Sequence, residues 1–275
     1  MTLRLFRYRN SNGKVGYADD RGDHGVPVPG ITGRNLFDRP LDQWEAKGDS
    51  FALPKTRLPP VPRGEKILCI GLNYRDHAKE TGAKIPTEPV VFSKFNSTRR
   101  GHEQPIVLPT IAKHVDYEAE LVVVIGRKAK QVDESAAMEC VYGYTAGHDV
   151  SARDWQKGRP GGQWLLGKSF DSFAPMGPVM VSREALDPNH LSVKMSINGV
   201  TRQDGNTDQL IFPIAKIVSH ISSVMTLRPG DVIFTGTPAG VGAARNPPLY
   251  LNDGDVCEVS IDGIGVLRNA CVAAN

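Results

Sequence analysis

Two glutamates open the chemical reading of this chain. Glu118 and Glu120 lie in VDYEAE, directly before the aliphatic run Leu121-Val122-Val123-Val124-Ile125. Alternate residues of a strand share a face, so both carboxylates point the same way, followed by Val122 and Val124. A run apolar at every position reads as a strand buried on both faces. Carboxylates entering such a strand are costly to bury unless a cation or hydrogen-bond donors compensate them. A hard divalent cation such as Mg²⁺ does so with oxygen ligands while keeping open water positions. The competing reading is an exposed strand end with two solvated glutamates. Asp149, in GYTAGHDVSARD, would complete a set of three oxygen ligands and leave room for water and substrate. It would serve equally as the cap of a helix beginning at SARD.

Other groups could act beside such a centre. His77 and Glu80 form an H-x-x-E pair in NYRDHAKE. On a helix these positions face one another, so the carboxylate can orient the imidazole as a general base. The same spacing also describes an ordinary exposed helix pair. Lys168, in QWLLGKSFD, could bind a substrate carboxylate or steady an enolate, or could be a surface lysine with a buried stem. Thr235-Gly236-Thr237-Pro238 follows DVIF and precedes AGVG. Glycines there let backbone amides approach an anion, and threonine hydroxyls can add hydrogen bonds. The segment lacks both the GK[ST] of a phosphate loop and the G-x-G-x-x-G spacing, which excludes nucleotide binding.

The elements that must position these groups are mostly strands. LRLFRYRN and KVGYADD flank Ser11-Asn12-Gly13, a hairpin signal, and LDQWEAKG reads as a short helix. Pro54, Pro59, Pro60 and Pro62 mark a stiff linker, so residues 1–62 are expected to form a small N-terminal β-rich domain. Residues 63–275 then form the catalytic domain. EKILCIGLNY and PTEPVVFSKF read as strands, and a short helix starts at Asp133-Glu134-Ser135. Ile214, Ile217, Val218, Ile221, Val224 and Met225 recur at helical spacing after Pro213. The tail LNDGDVCEVSIDGIGVLRN reads as hairpins. The fold class is α+β, mostly β, without the βαβ alternation of a dinucleotide fold.

Composition narrows the function classes. The net charge of +3 comes from 33 basic and 30 acidic residues spread along the chain, without the basic stripe that nucleic-acid binding needs. The four cysteines form no close pair, so neither a zinc knuckle nor a redox dithiol is expected. Buried thiols in a reducing cytosol are the expectation, and with it a cytoplasmic protein. Charges interrupt MTLRLFRYRN, so it does not read as a signal peptide, and no aliphatic run approaches a membrane span.

Taken in order, IGLNYRDHAKE, VDYEAELVVVIGR, GYTAGHDVSARDWQ, QWLLGKSFDSFAPMGP and PGDVIFTGTPAGVG resemble the fumarylacetoacetate hydrolase family over residues 67–271. QWLLGKSFD, with NPP at 246–248, is most similar to the domain-containing-protein-2 branch of that family. The resemblance implies a mixed β-roll catalytic domain, a homodimer, and Mg²⁺ or Mn²⁺, with Ca²⁺ in some members. By motif, Glu118, Glu120 and Asp149 match the metal ligands. His77 matches the catalytic histidine, Glu80 its partner on a lid, and Lys168 the active-site lysine. Arg153, Gln156 and Thr237 match positions near substrate.

The implied substrate is a small 2-oxo acid. Its enolate would be stabilised by the metal and Lys168, and His77 would activate water to cleave a C–C bond, as in acylpyruvate hydrolysis. Oxaloacetate decarboxylation would use the same enolate without water. An isomerase of a 2-oxo or 2-hydroxymuconate-type acid, or a metal-binding protein with little turnover, are the rival readings. A dinucleotide-dependent oxidoreductase lacks its glycine fingerprint. Two departures from the family pattern are His148, where relatives often carry Asn, and Lys94-Phe95, where many carry Lys-Pro.

Overall fold

A computed structural model describes residues 2–62 and 64–274. The N-terminal segment supplies β1 (Arg4–Arg9), β2 (Val15–Asp20), β3 (His24–Pro27) and β4 (Phe51–Ala52). The expected hairpin turn is there: Gly13 adopts φ +72°, and Asn10 Oδ1 accepts the amides of Asn12 and Lys14 at 3.0 Å each. Next come β5 (Ile67–Gly71), α1 (Arg75–Thr81), β6 (Val90–Lys94), β7 (Arg99–Arg100), β8 (Ile106–Leu108), β9 (Val115–Asp116) and β10 (Ala119–Ile125). The middle of the chain forms α2 (Glu134–Ala137), β11 (Val141–His148), β12 (Ser151–Ala152), α3 (Arg153–Gln156), α4 (Trp164–Lys168) and β13 (Ala174–Ser182). The last elements are β14 (Ser192–Ile197), β15 (Val200–Asn206), α5 (Ile214–Val224), β16 (Val232–Phe234), β17 (Val256–Ile261) and β18 (Gly265–Ala273).

One eleven-stranded sheet runs β4-β3-β2-β1-β13-β11-β10-β16-β5-β6, with β7 beside β13. A five-stranded sheet of order β15-β14-β17-β18-β8 covers part of it, and β9 and β12 form a short ribbon. β10 lies between β11 and β16 and is buried at every residue. Leu121 and Val123 join the core shared with Val193, Met195 and Val259 of the smaller sheet. Val122 and Val124 face the other way, onto Leu5, Leu36, Trp44 and Phe234. Burial of such side chains contributes roughly 1.5–3 kcal/mol each, enough together to hold a strand that also carries buried carboxylates. The mixed, mostly β architecture expected from the sequence is the observed one.

Three local expectations meet different outcomes. β1 pairs with β13, Leu5 opposite Met180, so a division after residue 62 falls within a single sheet. LDQWEAKG is not an α-helix: only Leu41–Gln43 form a single 3₁₀ turn. Trp44 there turns extended to bury its ring and donates Nε1–H to Leu36 O at 3.2 Å, so packing of one large side chain overrides helical propensity. In α5, Ile214, Ile217, Val218 and Ile221 are buried as the spacing predicts, but Val224 is 75% exposed where the helix ends.

Candidate active site

The pairing of β10 with β11 brings the acids together. Ala119 lies opposite His148 and Glu120 opposite Gly147, so Asp149, one residue beyond β11, arrives beside Glu118 and donates its amide to Glu118 O at 2.9 Å. Gly147 is required here, because a Cβ would lie 2.4 Å from Val122 Cγ2 and 2.6 Å from the Phe234 ring. Carboxylate oxygens of Glu118, Glu120 and Asp149 lie within 4.8 Å of one another, all buried. The solvated strand end is therefore not what forms. Nor does Asp149 cap a helix, since α3 is preceded by Ala152 and has no side-chain cap.

Cations converge on two of these acids. Lys168, buried at the end of α4, places Nζ 2.7 Å from Glu118 Oε2 and 3.0 Å from Asp149 Oδ2. Arg153 donates Nη2–H to Glu118 Oε1 at 2.6 Å, Nε–H to Asp116 Oδ2 at 2.8 Å and Nη1–H to Gln156 Oε1 at 2.9 Å. Lys94, which the motifs did not single out, lies 2.5 Å from Asp149 Oδ1. Its three protons go to the carbonyls of Val150, Lys168 and Phe173 at 3.0, 2.7 and 2.8 Å, so it acts as a point charge and as a clamp on three segments. Among the described residues, Glu120 has no such cation in contact and accepts only the Gly236 amide, at 2.7 Å.

This asymmetry sets the charge states. Burial works against ionisation of Glu118, but Lys168 and Arg153 overcome it and hold its carboxyl well below the usual range. For Glu120, burial and then the neighbouring Asp149 and Glu118 all push the same way, and its carboxyl is raised well above the usual range. Burial opposes the charged form of Lys168, yet Asp149 and Glu118 raise it overall. Counting the contacts above, the acids Asp116, Glu118, Glu120 and Asp149 face only Arg153, Lys168 and Lys94. One buried carboxylate thus lacks a positive partner, and the donors around that deficit are carboxylate oxygens. A hard divalent cation fits this set, whereas a soft, thiolate-seeking metal does not.

The segment after β16 serves acids of the chain itself. Its amides were expected to approach an anion, and the anions are three side chains from separate elements. Gly236 N–H serves Glu120, Gly240 N–H serves Glu80 Oε1 at 2.8 Å, and Gly242 and Ala243 N–H serve Asp116 at 2.7 and 3.0 Å. Gly236 adopts φ +102°, and a Cβ there would lie 2.8 Å from Asn73 Cβ. Glu80 Oε2 lies 3.0 Å from His77 Nδ1 on α1, so the loop holds the carboxylate that orients the imidazole. Asp116 drew no notice in the sequence, and Lys94 none beyond its place in the Lys94-Phe95 departure. A carboxylate two residues before Glu118 and a lysine on the apolar strand β6 were the only signals available.

His77, Glu118, Glu120, Arg153, Gln156, Lys168 and Thr237 line one cavity of about 240 Å³, walled by Ile70, Phe92 and Trp164. Glu80 lies on an adjoining vestibule, and Asp149 stands behind Lys168. Thr237 gives its hydroxyl proton to Ala119 O at 2.9 Å and accepts from Gln203 Nε2 at 2.7 Å, so its hydroxyl supports the wall. His148 is buried with neither ring nitrogen hydrogen-bonded among the described residues. Burial and the nearby Lys94 charge lower it to about 3, which keeps it neutral. Phe95 is 56% exposed and lies outside the cavity.

Comparison with known proteins places the chain in a family. Residues 66–272 match the family described as fumarylacetoacetate (FAA) hydrolase C-terminal. The chain is 47% identical over 218 residues to oxaloacetate tautomerase FAHD2A, mitochondrial, of Homo sapiens, covering 79% of this chain and 69% of that one. It is 50% identical over 220 residues to a fumarylacetoacetate hydrolase domain-containing protein 2 homolog of Dictyostelium discoideum, covering 76% and 72%. Among solved structures, the fumarylacetoacetate hydrolase of Exiguobacterium antarcticum superposes with TM-score 0.85 at 35% identity, covering 99% of this chain and 100% of that one. A 2-hydroxyhepta-2,4-diene-1,7-dioate isomerase from Mycobacterium marinum gives TM-score 0.83 at 36% identity over 99% of both. With its motifs, its fold and its matched residues in agreement, this chain belongs to the fumarylacetoacetate hydrolase family.

Proposed function

We propose that this protein is a divalent-metal-dependent enzyme of enolate chemistry on a small 2-oxo acid, with oxaloacetate as the substrate and keto–enol interconversion as the reaction. The observation that carries this reading is the opening of Glu118, Glu120, Lys168 and His77 onto one small cavity, with Asp149 completing the acid triad behind Lys168 and Glu80 holding His77 from the adjoining space. At about 240 Å³ it falls below the roughly 300–1,000 Å³ of sites for drug-sized ligands, a scale suited to a four- or five-carbon acid. Glu118, Glu120 and Asp149 would hold Mg²⁺ or Mn²⁺, which when bound supplies Lewis-acid stabilisation of an enolate.

The chain's own groups account for the proton movements. His77 Nε2 takes a proton from C3 of the keto form, and the C–H electron pair becomes the C2=C3 bond. Lys168 Nζ donates a hydrogen bond to the oxygen that gains charge, and the proton held by His77 is returned there to give the enol. Glu80 stabilises the transient imidazolium and fixes which ring nitrogen faces the cavity. Phe92 and Trp164, packed edge to face at 5.4 Å, keep bulk water from the enolate.

The second reading is cleavage of a C–C bond, in which His77 instead takes a proton from water that attacks a distal carbonyl. The vestibule shared by His77 and Glu80 favours it, because that space supplies a path for water. The homodimer belongs to this proposal, supported by exposed Val90 at the sheet edge and Leu165 and Leu166 on α4. So does a reducing, cytoplasm-like compartment, supported by four free, buried cysteines.

Enol absorbance with oxaloacetate, with Mn²⁺ and then with chelator, tests the main reading, and proton NMR identifies the products. Metal-dependent relaxation between tautomers is expected. Release of pyruvate faster than that relaxation would favour cleavage, and no acceleration of either process would refute the enolate reading.

A further inference from the structure

Three cations line the inner cavity: Arg153, Lys157 and Lys168. Two are committed. Arg153 uses Nε, Nη1 and Nη2 on Asp116, Gln156 and Glu118, and Lys168 spans Glu118 and Asp149. The Lys157 side chain makes no hydrogen bond or ion pair among the described residues. It stands one turn after Arg153, tied to it by Lys157 N–H donating to Arg153 O at 3.0 Å. Residues four apart in a turn share a face, and like charges so placed repel each other. Arg159, the next cation along, lies over the Trp155 ring at 4.3 Å.

The position of Lys157 gives this unpaired charge a use. A second space, of about 340 Å³, adjoins the inner cavity and is lined by Glu80, Val241, Ala243 and Ala244. His77, Thr81, Arg153 and Lys157 line both spaces and so form the threshold between them. A 2-oxo acid with its 1-carboxylate and keto oxygen at the triad and Lys168 would place its far end at this threshold. We infer that Lys157 is a specificity-determining residue that binds the distal carboxylate of the substrate, selecting 2-oxo diacids over 2-oxo monoacids. This inference rests on the cavity being a 2-oxo acid site, as proposed above, and deepens it to a substrate class.

The test is a binding measurement, independent of turnover. Titration calorimetry on the full chain loaded with Mn²⁺ compares 2-oxoglutarate with 2-oxopentanoate, which have equal chain length and differ in the terminal carboxylate. The wild type should prefer the diacid. Lys157→Met should raise the diacid Kd roughly 5–10-fold, the scale of one partly exposed charge-assisted contact, and leave the monoacid Kd within about twofold. Lys157→Arg should restore the preference. Equal weakening of both ligands, an unchanged diacid Kd, or a wild type without preference would each overturn the inference. Failure of oxaloacetate turnover with the diacid preference intact would instead count against the proposed reaction alone.

Discussion

Replacing Asp116 by asparagine probes whether the site is held from below by a residue that never touches substrate. Asp116 is fully buried, and its two oxygens accept four protons. Oδ1 takes the amides of Gly242 at 2.7 Å and Tyr117 at 2.8 Å. Oδ2 takes the amide of Ala243 at 3.0 Å and Arg153 Nε at 2.8 Å. An asparagine is nearly the same size but keeps one acceptor oxygen and turns the other into a donor. Two of the four protons then face an NH₂ group, whichever way the amide is placed. Removing one partner of a buried, hydrogen-bonded ion pair costs about 3–5 kcal/mol. At roughly 2–4 °C per kcal/mol for a chain of this size, Tm should fall by at least about 6 °C. Arg153, freed on its Nε side, should also lose alignment with Glu118, so KM should rise along with the loss of stability. Differential scanning calorimetry with parallel steady-state kinetics is the assay. A Tm within about 2 °C of wild type, the scale of an ordinary surface change, would refute the claim that Asp116 is a buried anchor.

Other outcomes follow from the same contacts. Mn²⁺ at about a hundred times its Kd should stabilise the wild type by about 2.7 kcal/mol, a shift that Glu120→Gln should largely abolish in a thermal melt. His77→Ala and Glu80→Gln should each slow tautomer interconversion by about 10²-fold or more in stopped-flow absorbance; full activity of His77→Ala would remove it as the base. Because His148 is lowered to about 3 when folded and titrates near 6.5 when unfolded, the unfolded chain binds the extra proton as pH falls below 6.5. Stability from neutral His148 is thus complete above that pH and is lost toward pH 3, by up to about 1.4 kcal/mol per unit. Urea unfolding at pH 7 and pH 5 should show this slope in wild type and a shallower one in His148→Asn.

What was legible in the sequence was whatever depends on neighbours in the chain. Strand alternation put Glu118 and Glu120 on one face, helical spacing paired His77 with Glu80, and the aliphatic run announced a strand buried on both sides. Partners distant in sequence were not legible. Lys94 meets its three carbonyls 56, 74 and 79 residues away, and Asp116 meets Gly242 at a separation of 126. Nothing local to PVVFSKF or VDYEAE distinguishes these from a surface lysine or a solvated aspartate. LDQWEAKG failed for a related reason, since Trp44 answers to a core built from other segments. The amide-rich loop was recognised as an anion cradle, but its anions could be named only once the sheet had brought them together.

That loop has a consequence for how the protein can change. Between Gly236 and Ala243 it presents amides to Glu120, Glu80 and Asp116, so backbone spacing, rather than side-chain identity, sets the relation among metal ligand, base partner and arginine anchor. An exposed side chain such as that of Ala243 can vary while the amides stay in place. A residue inserted or deleted between Gly236 and Gly240 would put the amide that serves Glu120 out of step with those that serve Glu80 and Asp116, with no one substitution able to restore it. Variation in substrate preference is better accommodated by side-chain substitution at a cavity residue such as Lys157, which contacts none of these three carboxylates.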